Sequence, residues 1–259
     1  MQVYLAVTPA ELPEASAYCR TFAHVAYRIG EGSTLLRQNL LLQVRGGLLA
    51  FNDRDAPPIG EPEKLCAAVL RECSRRGYGG VLLDFEESPR RDRLAFAKQL
   101  GQALSAGKRT LYVPESYAQA SPPAMVLVCT ALSGGTLTQR LQEAAAQRGG
   151  ASRLALDVQR LRMDFRLPAR TGEGRPLTRV EFQALLDREH PAVFFSQDLC
   201  ARYFTYTREG DTHFVLFDDA DTMTQKMNTA AGMGFSTAFL MYPEVRDLLP
   251  KLFPGKAGP

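Results

Sequence analysis

Apolar residues gather along this chain into short, uninterrupted runs separated by stretches in which they recur every third or fourth position. The runs predict strands over Val3–Thr8, His24–Tyr27, Gly47–Phe51, Gly80–Phe85, Thr110–Pro114, Met125–Thr130, Leu154–Asp157 and Phe235–Met241. The periodic stretches predict amphipathic helices. Pro62–Arg75 carries Leu65, Val69 and Leu70 at helical spacing and stops at Gly77. Arg91–Ala106 repeats the pattern and ends before Gly107; Thr136–Gln147 follows Gly134-Gly135, and Asp221–Ala231 follows Asp218-Asp219. A further helix over Thr178–Arg188 precedes a hairpin whose strands, Tyr203–Thr207 and His213–Phe217, flank a Glu-Gly-Asp turn.

Mainly apolar strands alternating with helices argue for a parallel sheet covered by helices. Eight such strands in 259 residues favour a closed (β/α)8 TIM barrel of class α/β over an open doubly wound sheet. The expected organisation is one barrel domain over 1–252 and a flexible tail over 253–259. The hairpin is a small insertion before the last βα unit. Residues 32–46 fit either helix or strand.

Composition narrows the function without naming it. Apolar residues are 45% and charged residues 23%, the balance of a globular protein with a sizeable core. A net charge of +3, with no dense basic run, argues against a nucleic-acid partner. The start, MQVYLAVTPAELPE, lacks a secretory signal pattern, and no apolar stretch is long enough for a membrane span, so a cytoplasmic location is expected. Cys19, Cys66, Cys73, Cys129 and Cys200 form no CxxC pair and read as reduced thiols. His24, His190 and His213 show no ligand spacing, so neither a metal nor another cofactor is expected. TALSGG (130–135) lacks the GxxxxGK[ST] of a phosphate loop.

The chemistry concentrates in GYGGVLLDFEES (77–88). Strand side chains alternate, so Leu82, Asp84 and Glu86 share one face and Leu83 and Phe85 the other. The helix-facing layer must be dry, which sends Asp84 and Glu86 toward the barrel axis at the strand's C-terminal end, where barrel enzymes carry their chemistry. Two carboxylates in a semi-enclosed mouth push one pKa upward until that group holds a proton, the equipment of a general acid. The alternative is an interior ion pair with an Arg or Lys of another strand. Asn52 and Asp53 end the third strand, with Asp53–Arg54 either a loop salt bridge or a ligand contact. Glu115 and Tyr117 close the fifth strand as pocket walls or as an ordinary polar loop. Tyr242 and Glu244 end the eighth on one alternating face. Asp164 reads as solvent-exposed, and Arg140, Arg153, Arg160 and Arg162 as solvated surface.

This segment resembles the fourth-strand signature Asp-x-x-Asp-x-Asp-x-Glu of glycoside hydrolase family 18, the chitinases and related N-acetylglucosaminidases. Residues 204–244 are similar to the C-terminal part of the spore-cortex and peptidoglycan-related branch. Phe217, Asp218, Asp219, Thr222 and Lys226 fit its phrase W/F-x-E/D-D-x-x-S-x-x-x-K. The resemblance implies a carbohydrate partner containing N-acetylglucosamine and a substrate-assisted mechanism. Glu86 takes the proton-donor position, and Asp84 orients the 2-acetamido group. Tyr242 is the nearest substitute for a tryptophan that commonly floors the sugar site, since the chain has none. Gly79 and Leu82 replace the first two motif aspartates. Cys129-Thr-Ala-Leu132 is the best counterpart of the sixth-strand Met-x-Tyr-Asp, placing Ala131 and Leu132 where a hydroxyl and a carboxylate hold the acetamido group. Two outcomes stay open: a hydrolase, or a barrel that binds a glycan without cleaving it. A different chemistry reusing Asp84 and Glu86 with Glu115 is a third, and the oligomeric state is left open.

Overall fold

A computed structural model describes residues 1–38, 44–169 and 173–255. Eight strands, Gln2–Val7 (β1), Phe22–Gly30 (β2), Leu48–Asn52 (β3), Gly80–Asp84 (β4), Thr110–Pro114 (β5), Met125–Cys129 (β6), Leu154–Asp157 (β7) and Thr237–Met241 (β8), pair in parallel around a closed ring. β1 joins β2 through Leu5↔Phe22 and β8 through Gln2↔Thr237, which closes the circle. The expected TIM barrel is therefore present, each strand within a few residues of its predicted span.

Helices Pro62–Arg76 (α1), Arg91–Ala106 (α2) and Leu137–Arg148 (α3) follow β3, β4 and β6. Shorter turns serve β1 and β5. α1 stops where Gly77 takes a left-handed φ of 69°, its N–H returning to the Cys73 carbonyl. Within the ambiguous 32–46 region, Thr34–Arg37 is a strand antiparallel to the end of β2, and 39–43 lie outside the described residues. So do 256–259 of the expected tail.

Two apolar layers explain the alternation. Leu49, Phe51, Val81, Leu83 and Phe85 belong to the large core between barrel and helices. Ala6, Ala23, Ala50, Leu82, Tyr112, Ala155 and Phe239 fill the interior. There Tyr4 stacks on Phe239 at 5.4 Å and Tyr112 meets it edge-on at 4.9 Å, a plug that leaves no lumen below the mouth. Gly80 is obligatory at the start of β4, because a Cβ there would lie 2.2 Å from the Thr110 carbonyl oxygen.

The insertion between β7 and β8 is larger than a hairpin. Tyr203–Thr207 and His213–Phe217 do pair, within strands Ala201–Arg208 and Asp211–Phe217 of a five-stranded antiparallel sheet. Helix Arg179–Glu189 (α4), started by a Thr178–Glu181 capping box, covers one face through Phe182 and Leu185 against Phe204, Val215 and Phe217. The other face packs Leu161, Phe165, Ala201 and Leu216, with Ala131 from the segment after β6 against them.

The neck of this insertion is tied by Asp218. Its backbone N–H donates to the Leu161 carbonyl at 2.9 Å, and its carboxylate accepts from the Leu161 N–H at 2.9 Å. Thr222 Oγ1 donates to it at 2.8 Å and Lys226 Nζ at 2.7 Å, with both charged side chains fully buried. Asp219 caps helix Ala220–Gly232 (α5) and pairs with Arg202.

Candidate functional site

Asp84 ends β4 opposite Asn52 of β3, and Asp157 ends β7 opposite Cys129 of β6. All four continue the interior parity set by Leu82, Ala50, Ala155 and Leu127, so they crown the aromatic plug at the C-terminal mouth. Among the described residues, no hydrogen bond or ion pair reaches the Asp84 carboxyl. Burial raises its pKa to about 6; the nearby Glu86, Asp53 and Glu244 carboxylates add to this and Arg54 opposes it.

Asp157 was no candidate in the sequence, although strand alternation from Ala155 points to it. Burial lifts its pKa to about 7 against a hydrogen bond from Gln159 Nε2 at 2.7 Å; the charges of Asp84, Glu244 and Glu86 raise it further. Cys129, also missed, has its thiol pushed to about 11 by burial and by Asp157. A carboxyl whose folded pKa is raised loses stability as pH climbs from its unfolded value through the folded one. Asp157→Asn is therefore expected to stabilise the protein at pH 8 by on the order of 2–3 kcal/mol. The gain should shrink toward zero by about pH 4, as thermal melts across pH will show.

Glu86 lies just past the strand, its carboxylate exposed and paired with exposed Arg54 at 2.8 Å. The side chains are 61% and 71% exposed, so this is a solvent-facing pair worth roughly 0–1 kcal/mol, not the interior lock that was the structural alternative. The turn carrying Glu86 is held from below by Asp53. Asp53 Oδ1 accepts the backbone N–H groups of Glu86 at 3.0 Å and Glu87 at 3.4 Å.

Several candidates sit elsewhere than expected. Asp53 is 1% exposed and engaged with backbone, which removes it from ligand contact and makes it a support for Glu86. Tyr117 is fully buried in the outer layer edge-on to Phe85, because the turn after β5 swings its ring behind β4. Tyr242 is 2% exposed in the same layer, near Glu14, because β8 ends at Met241 and the chain turns at once into Tyr242–Val245. Neither aromatic ring faces the mouth. Glu115 is exposed and paired with Arg140.

Glu244 does reach the mouth. It is half-buried and accepts the Arg160 N–H at 3.1 Å, and burial raises its pKa. Arg160, expected as solvated surface, is instead a clamp. Its Nη1 donates to the Glu244 carbonyl at 2.9 Å and to Asp247 at 2.7 Å. Arg162 is half-buried as well. Asp164 is buried inside the insertion, where it accepts from Tyr206 Oη at 2.9 Å and meets His213 Nδ1 at 3.0 Å. Asn52 lines a cleft of about 400 Å³ with Arg28, Arg54 and Asp55, beside Glu86.

No family sequence model matches the chain, and no curated protein matches it in sequence. Solved structures do. A chitinase from Chromobacterium violaceum ATCC 12472 aligns over 100% of this chain and 99% of its own, with a TM-score of 0.66 at 15% identity. The class V chitinase of Nicotiana tobaccum gives a TM-score of 0.68 over 99% and 98%, at 9% identity. The Bacillus megaterium QM B1551 spore cortex-lytic enzyme SleL gives 0.65 over 97% of this chain and 74% of its own, at 15% identity. The chain has a glycoside hydrolase family 18-like fold. A mutant of the tobacco enzyme has been solved in complex with NAG4. Within this family 18-like barrel the mouth carries Asp84, Glu86, Asp157 and Glu244. Ala131 and Leu132, at the ends of the sixth-strand segment, pack into apolar clusters instead.

Proposed function

We propose that this barrel acts on glycans containing N-acetylglucosamine, of peptidoglycan or chitin-like type, with Glu86 as general acid and Asp84 orienting the acetamido group. The observation that carries this reading is the Asp84 carboxyl at the mouth of a family 18-like barrel, without a hydrogen-bond or ion-pair partner among the described residues and two residues before an exposed Glu86. The sugar's own 2-acetamido oxygen attacks the anomeric carbon, and Glu86 transfers its proton to the departing glycosidic oxygen. The Asp84 carboxylate holds the acetamido N–H and stabilises the cationic ring that forms, a role that favours placing its charge where positive charge develops. The exposed Arg54 gives way to the sugar at little cost.

A second reading, a glycan-binding protein without hydrolysis, is favoured by a specific observation. Leu82, Ala131 and Leu132 occupy apolar surroundings where the family pattern has a carboxylate, a hydroxyl and another carboxylate. Each interaction lost from a transition state can cost as much as an oxyanion-hole donor, roughly 3–4 kcal/mol of catalysis. Incubating the protein with a chromogenic N-acetylglucosaminide and with peptidoglycan fragments separates the cases. Turnover supports hydrolysis, sugar binding without turnover supports the second reading, and neither across a glycan panel removes both.

A further inference from the structure

The opposite, N-terminal end of the barrel carries a recess of about 280 Å³, set beneath the starts of β2 and β3. Arg20, His24, Arg45 and the Gly46-Gly47 turn line it, with Phe22 and Val44 as its apolar wall. Among the described residues, no carboxylate lines it. Arg20 and Arg45 are exposed and make no ion pair or hydrogen bond with any described residue through their side chains. That contrasts with Arg54, Arg140, Arg175 and Arg246, each held by a glutamate. His24 is 5% exposed, packed against the rings of Phe22 and Tyr78, and bonded to the Gly46 backbone. Burial, with the Arg76 guanidinium nearby, lowers its pKa to about 4.

The turn that closes the recess is pinned in place. Gly46 and Gly47 have φ of 74° and 70°, and a Cβ on Gly47 would lie 2.4 Å from the Phe22 carbonyl oxygen. Any side chain there would force the turn off β2 and open the wall.

We propose that this recess binds a small oxyanion, a phosphomonoester on a carbon body of about monosaccharide size. Two guanidiniums that line one recess, neither paired with a described residue, match the forked hydrogen-bonding of a phosphate group. A neutral imidazole adds a polar contact without repelling or neutralising the anion, and the apolar wall suits the carbon body. The volume falls near the low end of small-ligand cavities, which excludes an extended chain. The recess is remote from Glu86, so this assignment stands independently of the glycan reading.

Titration calorimetry at low salt with inorganic phosphate, a hexose 6-phosphate and the uncharged hexose tests it. Both phosphates should bind and the hexose should not. Arg20→Gln/Arg45→Gln should weaken the phosphates about tenfold or more, as should 0.5 M salt. Both arginines are exposed, so an unchanged melting temperature is expected for the variant, and Arg45→Lys should retain partial binding. Absence of binding by either phosphate, binding that survives the double substitution, or hexose binding as tight as its phosphate would each overturn the proposal.

Discussion

Glu86→Gln is expected to lower turnover of an N-acetylglucosaminide by about 10²–10⁴-fold, the usual worth of a positioned proton donor. Affinity for the uncleaved glycan should stay within about threefold, since the amide keeps the side chain's shape and removes only the transferable proton. Loss of binding together with turnover would instead mark Glu86 as a sugar contact. The pH dependence carries separate information. Burial pushes Asp84 up to about 6 and Asp157 to about 7, so the charge proposed to orient the acetamido group is lost as pH falls through about 6. kcat/KM should fall as pH drops through about 6, and Asp84→Asn should remove that limb along with most of the activity. An acid limb that persists in Asp84→Asn would assign it to another group.

Lys226→Met is expected to destabilise the protein by about 3–5 kcal/mol, because it leaves the Asp218 carboxylate buried and uncompensated. For a chain of this size that lowers the melting temperature by roughly 10 °C. Asp218→Asn/Lys226→Met should recover part of the loss, since the amide oxygen still accepts from the Leu161 N–H, the amide NH2 can donate to Thr222 Oγ1, and no isolated charge remains. Hydrogen exchange at the Leu161 amide should quicken in the single variant more than in the double. A cost under about 1 kcal/mol for Lys226→Met would mean that water reaches the pair, contrary to its full burial.

The barrel was legible because its strands announce themselves twice. Each is a short apolar run bounded by glycine or a helical stretch, and alternation divides it between the interior and the helix-facing layer, as Ala50 and Phe51 show. The insertion was legible only at its centre. Arg175–Pro176 and Phe194–Ser196 are too short for any period to register, so a five-stranded sheet read as a hairpin. Within the site, alternation put Asp84 on the interior face, whereas Glu244 comes to the mouth through the helical turn after β8 and not by strand parity. The rule failed at Tyr242, where the chain leaves the strand at Met241 and enters a helical turn at once; Tyr117, read as a wall or a loop beyond its strand, is carried behind β4 by the turn after β5. Asp53 misled because a residue type common in ligand contacts serves here to hold a backbone turn. Asp157 went unweighed because one acid ending a four-residue strand belongs to no motif; alternation from Ala155 was its one sequence signal, and the register with Cys129 sets it at the mouth.

The pairing of Gln2–Val7 with Thr237–Met241 has a consequence for biosynthesis. Until the ribosome has delivered the final strand, the growing sheet has two raw margins, the first strand on one side and Leu154–Asp157 on the other. Both offer unpaired amides and carbonyls to any neighbouring chain. The intervening insertion lengthens that interval, so nascent molecules stalled before residue 237 form the population most prone to edge-to-edge association.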